Sequence, residues 1–175
     1  PKRELRLQFA LAYGDSGGID GLTASLGALR VRQDLLGIAL GAGAVFVGGN
    51  ARGVIASIGY AQLDNNLEGV MFGMGGAMQR GGRAKGVVAS AGGALANDVK
   101  GILLGAGFAT SKSLEGIGLS AGATIIRGQS EGALIGAGVN WSAAHRGIEV
   151  SAGVNAGRDL AGVAVAPINV HRRVN

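Results

Sequence analysis

The stretch Gly101-Ile-Leu-Leu-Gly-Ala-Gly-Phe-Ala109 and its counterpart Gly147-Ile-Glu-Val-Ser-Ala-Gly-Val-Asn155 decide the fold. Each opens on a glycine, places aliphatic residues at the first and third positions after it and small residues at the fourth and sixth, and then runs into a more polar segment. Alternation with a period of two is a strand pattern that a 3.6-residue helix does not produce. The same opening recurs at Gly37, Gly53, Gly69, Gly86, Gly101, Gly116, Gly132, Gly147 and Gly162, at spacings of 15 to 17 residues. A unit this short cannot bury an apolar face alone, whereas stacked copies can.

Composition agrees with a repeat. Of 175 residues 35 are glycine, against 2 prolines and no cysteine, which excludes both a disulfide scaffold and a collagen helix. A hydrophobic share of 47% with only 15% charged residues is too apolar for a disordered chain. No segment reads as a helical membrane span or a signal-peptide core, because the most apolar stretch, Leu35 to Gly49, is broken by five glycines. The chain opens on Pro1 without an initiator methionine, which reads as a processed or partial chain. His171-Arg-Arg-Val-Asn175 copies a linker and stops where the next glycine is due, so the array is expected to continue beyond residue 175.

Charged residues precede the leading glycine, as at Glu68, Lys85, Lys100, Glu115, Glu131 and Arg146, and mark corners where positive φ suits glycine. One position earlier an apolar residue, such as Leu35, Leu67, Val99, Leu114, Leu160 or Val174, is expected to tuck against a core. The columns Val54, Val70, Val87, Ile102, Ile148 and Val163 are expected to form that core, with the glycine/serine positions facing outward. The expected architecture is all-β, made of tandem 15–16-residue strand-turn repeats in a β-solenoid. Residues 1–36 form N-terminal cap strands and 37–175 an array of about nine units. An antiparallel up-and-down β-barrel is the alternative, favoured by the two-unit alternation Gly41, Ser57, Gly73, Ser90, Gly105, Ser120, Gly136, Ser151. Seven aromatic residues make no membrane girdle.

Units such as Gly147 to Asn155 and Gly162-Val-Ala-Val-Ala-Pro-Ile-Asn-Val170, with linkers such as Arg158-Asp-Leu-Ala-Gly162, resemble bacterial surface-repeat proteins of the Leptospira type. The tandem units of that family read approximately Gly-Leu-Gln-Ile-Gly-Leu-Val-Asn-Val-Ala. The resemblance covers about residues 37–175, with the family's Gln replaced by Ile55, Met71, Val88, Leu103 and Glu149 and its Asn matched at Asn140, Asn155 and Asn169. It implies a cell-envelope or surface location, outer membrane or extracellular, and no catalytic activity.

Motifs that could carry chemistry fail on their partners. Gly14-Asp-Ser-Gly-Gly18 has the nucleophile signature of chymotrypsin-like proteases, but the histidines, His145 and His171, lie far downstream. Gly118-Leu-Ser-Ala-Gly122 fits a nucleophile elbow, yet its serine occupies a position that is Ser or Gly in every neighbouring unit. No phosphate loop, metal-ligand spacing or cofactor motif is present, and Asn140-Trp-Ser142 is a formal glycosylation sequon. A pI near 10.2 and the clusters Arg80, Arg83, Lys85 and Arg172, Arg173 mark contacts to an anionic surface. Without interleaved aromatics, nucleic acid is not an expected partner. The sequence thus points to a non-enzymatic structural repeat protein of the bacterial envelope, whose partners are itself, stacked end to end or face to face, and a membrane surface or lipopolysaccharide. An outer-membrane barrel serving as pore or anchor, and a binding module for anionic polymers, are the alternatives.

Overall fold

The computed structural model describes residues 6–174, so the start of the expected cap, residues 1–5, and the final Asn175 lie outside the described residues. Seventeen strands form one continuous ladder, and every pairing in it is parallel. The chain winds into a β-solenoid of about 11 turns. Parallel pairing overturns the antiparallel barrel. Gly101 stands beside Gly116 in the same direction of chain, and Gly37 beside Gly53 likewise.

Each coil contains a short strand, such as Ala44–Val47, and a longer one, such as Ala51–Ser57, that bends at its leading glycine. The short strand lies within the segment that reads as a polar linker. From residue 93 onward the two fuse through the intervening corner into strands of 12 to 14 residues, such as Gly93–Gly105 and Ala123–Gly136. Unit length is adjusted mainly in that corner, although the last coil loses one residue at the other, between Val165 and Ile168. Three residues, Arg80 to Gly82, fill it in the 17-residue unit, and Lys112 alone fills it in a 15-residue unit. Residues 6–36 wind in the same register, with Gly21 standing opposite Gly37.

The leading glycines form a column with φ between 123° and 148° from Gly21 to Gly162, a region L side chains rarely adopt. At Gly116 an added Cβ would also lie 2.0 Å from the carbonyl oxygen of Gly101 in the coil below. Conformation and stacking distance therefore both require glycine there.

The interior is not the one the bulky columns suggest. Ile38 is 40% exposed, Ile117 39%, Ile148 52% and Val163 57%, while the second and fourth positions after the glycine point inward. Ile55, Met71, Val88, Leu103 and Leu134 are fully buried there, beside Ser57, Ser90 and Ser151 at the corner. The residue before the corner charge is buried as well, at Leu35, Leu67, Val99, Leu114 and Leu160, although Val174 is 65% exposed. The physical reason is parity. Leu67 and Val70 are three residues apart, and a period-two strand cannot turn both inward. The bend at glycine preserves the alternation, so the inward set is Leu67, Met71 and Gly73, and Val70 and Phe72 face out. Each large interior side chain, Leu103 for example, contributes about 1.5–3 kcal/mol of hydrophobic stabilisation.

Candidate interaction surface

Inverting the faces creates an outer surface of unusual composition. Past the Gly21 coil, whose short strand carries the exposed Arg30, the segments from leading glycine to the end of the next short strand, residues 38–47, 54–63, 70–79, 87–96, 102–111, 117–126, 133–142, 148–157 and 163–171, contain one Asp, Glu, Lys or Arg, namely Glu149. That residue is turned inward and fully buried. Two outer faces thus carry no formal charge: the long strand after its bend, with ladders such as Val70/Phe72 and Ile148/Val150, and the short strand, with Phe108, Ile125 and Val139. They meet at a corner of small residues, Ala106-Gly107 and Ala121-Gly122, which carries Ile58 and Met74 in earlier coils. Towards the N-terminal end the corner opens into a hollow of about 600 Å³ lined by Phe9, Leu11, Leu26, Leu40, Ile58 and Phe72.

The charges border this surface. Outward positions of the short strand continue at every second residue into the next corner, so Phe108 and Thr110 lead to Lys112, Ala123 and Ile125 to Arg127, Val154 and Ala156 to Arg158, and Ile168 and Val170 to Arg172. Arg32 and Arg80 occupy the same column, which holds one acid, Asp64, lying 3.9 Å from Arg80. Arg32 pairs with Asp15, and the guanidinium holds that carboxyl below its ordinary value. On the face before the bend both signs are present: Arg52 bonds Glu68 at 2.7 Å and Lys100 lies 2.7 Å from Glu115.

Of the residues singled out from sequence, Arg80 and Arg172 fall in the cationic column, six coils apart. Arg83 stands beside Asp98 and Arg173 beside Asp159, and Lys85 lies between Glu68 and Lys100. Sequence reasoning missed Lys112, Arg127 and Arg158, which join the two basic clusters into one edge. Stepping from Arg80 by the unit length finds them, once the repeat is applied to the linkers as well as to the glycines.

One coil has an interior unlike the others. Between residues 139 and 151 the inward side chains are Asn140, Ser142, His145, Glu149 and Ser151, all polar and all buried. Ser142 Oγ donates to Glu149 Oε1 at 2.7 Å, and His171 Nε2 from the last coil lies 3.0 Å from Glu149 Oε2. Asn140 Nδ2 donates to Asn155 Oδ1, and Asn155 Nδ2 to Asn169 Oδ1, making an amide ladder along the axis. Ser130 Oγ lies 2.8 Å from His145 Nδ1, while His145 Nε2, Asn140 Oδ1 and Ser151 Oγ are buried without partners. Burial pushes the His145 imidazole down from its ordinary 6.5, against the attraction of the Glu149 carboxylate.

This cluster does not have the order of a catalytic triad. The carboxylate sits between the serine and the histidine, so Ser142 donates to Glu149 and has no imidazole beside it, and both Ser142 and Glu149 lie in the interior. Ser120, of the elbow-like motif, bonds Thr124 within the corner, and Asn140 of the sequon is fully buried. Among the described residues no group of three or more His, Asp or Glu side chains is placed to hold a metal ion, and no helix is long and apolar enough to cross a membrane. No protein-family model, curated protein or solved structure matches this chain, so the surface is read from its own residues.

Proposed function

We propose that the chain is a non-enzymatic structural repeat protein of the bacterial cell envelope or surface that assembles with copies of itself along the solenoid axis. The observation that carries this reading is the self-complementarity of successive coils. Glycine stacks on glycine and backbone on backbone in parallel, with the columns restored after each corner, and buried apolar residue stacks on buried apolar residue outside the polar coil of residues 139–151. Any coil is therefore built to pair with a coil like itself, including one from another molecule. The envelope location is supported by the resemblance of its units to surface repeats. Electron microscopy over a range of protein concentrations tests the assembly. Filaments that lengthen with concentration are expected, with strands across the filament axis; short, monodisperse particles at every concentration overturn it.

A further inference from the structure

We propose that the charge-free perimeter is a wedge that enters the acyl region of an anionic phospholipid bilayer, with the cationic column lying at the headgroups. This adds a substrate surface to the scaffold reading and does not depend on assembly along the axis.

Three features favour lipid as the occupant. The first is shape. The two apolar faces meet at a corner, so a flat protein surface covers one of them at a time, while fluid hydrocarbon closes over both. With nine coils spaced by about 4.8 Å, the charge-free band is roughly 43 Å long. Exposed apolar surface of that extent marks an interaction site.

The second is charge. Lys112, Arg127, Arg158 and Arg172 extend the apolar ladder at its edge, where long cationic side chains lay their stems on hydrocarbon and their heads on phosphate. The opposite edge mixes both signs, as at Arg52, Glu68, Lys100 and Glu115. A second copy would bring another net charge of +5 to the contact, whereas an anionic bilayer brings the opposite sign. The third is the apolar hollow at Phe9, Leu26 and Phe72, which offers an acyl chain a recess free of charge.

The chain carries its own probe. Trp141 is its single tryptophan and lies on the outer face of a short strand, inside the band. Mixing the full chain with phosphatidylcholine vesicles containing about one-third phosphatidylglycerol should shift Trp141 emission to the blue. Brominated acyl chains should quench it, and the protein should float with the vesicles. Added salt should weaken flotation several-fold without abolishing the quenching of what remains bound. Ile117→Glu with Ile148→Glu, both on exposed positions, should cut flotation at least tenfold, and Lys112→Glu with Arg127→Glu and Arg158→Glu should remove the preference for anionic vesicles. Unchanged circular dichroism guards against misfolding, and Ile117→Ala, which keeps the face neutral, should still bind.

Flotation without quenching would mean adhesion by headgroups alone and overturns the wedge. A blue shift that follows protein concentration and ignores vesicles would assign the faces to a second copy and also overturns it. Filaments in the absence of lipid bear on the scaffold reading only, so the two readings fail separately.

Discussion

The coil of residues 44–57 and the coil of residues 139–151 have the same backbone and opposite interiors. The first encloses Val45, Val47, Ala51, Ile55 and Ser57; the second encloses Asn140, Ser142, His145, Glu149 and Ser151. Both hang on the same column of positive-φ glycines and the same parallel ladder. Coil geometry is therefore set by backbone pairing and glycine, and the interior has only to fill the space and satisfy its polar atoms. The aliphatic coil does this with dispersion and the hydrophobic effect. The polar coil does it with a network that leaves three buried atoms unpaired, each costing about 1–3 kcal/mol. The C-terminal coils should thus be the less stable part of one continuous structure.

The comparison is broken most severely at what the two coils share. Gly116→Val, with φ of 139° and a Cβ 2.0 Å from a carbonyl oxygen, should cost at least about 4 kcal/mol in chemical denaturation, and Gly53→Val should behave alike. Tolerance at either position would refute the common framework. Next come the interiors. Glu149→Ala leaves His171 and Ser142 buried without their acceptor and should destabilise by about 3–5 kcal/mol, comparable to the ~2–5 kcal/mol expected of Leu103→Ala. Replacing the whole node, by Ser142→Ala with Glu149→Leu and His171→Leu, should restore stability or exceed it by about 1–4 kcal/mol, because an apolar filling needs no partners. A triple variant weaker than Glu149→Ala would show that the network itself holds the coil.

A gentler perturbation is pH. His145 has a folded value below its ordinary 6.5, so between those values the unfolded chain binds more protons than the folded one. Its contribution is fully present above about pH 6.5 and is lost as pH falls through the folded value. Once corrected for the intrinsic slowing of amide exchange at lower pH, protection factors should therefore fall in residues 139–174 on moving from about pH 7.5 to about pH 5.5, with those of residues 44–73 unchanged and His145→Leu abolishing the difference. An equal loss of protection in both regions would locate the sensitivity elsewhere. The smallest effect is expected at Lys100→Ala, whose exposed bond to Glu115 should contribute no more than about 0.5 kcal/mol.

How much of this was legible in the sequence depends on which residues were read. The glycine column and the buried position before each corner charge are visible from spacing, because both repeat in every unit and each has a single physical cause. The inner and outer faces were not. Val54 and Val70 are larger than Ser57 and Gly73, but size does not track burial here, because the space at the corner admits only small side chains: a Cβ on Gly73 would meet the Gly76 carbonyl oxygen at 2.0 Å. Two expectations, Leu67 inward and Val70 inward, already conflicted by parity, and that conflict was the available clue. The short strands are hidden because their outward residues range over Ala44 and Phe46, Phe108 and Thr110, Ala123 and Ile125, and Val139 and Trp141, and no fixed type marks them. The polar node was hidden for another reason. Glu149 follows a bend glycine as Leu103 does, and its burial is made tolerable by partners the repeat does not supply, Ser142 seven residues earlier and His171 22 residues later.

The adjustable corner between short and long strand has a further meaning. Because one, two or three residues there leave every neighbouring column in place, a copy can be gained or lost without the rest being redesigned. Excising residues 101–115, for instance, would set Gly116 directly above Gly86. The molecule is in that sense a ruler, whose span is counted in duplications at about 4.8 Å apiece.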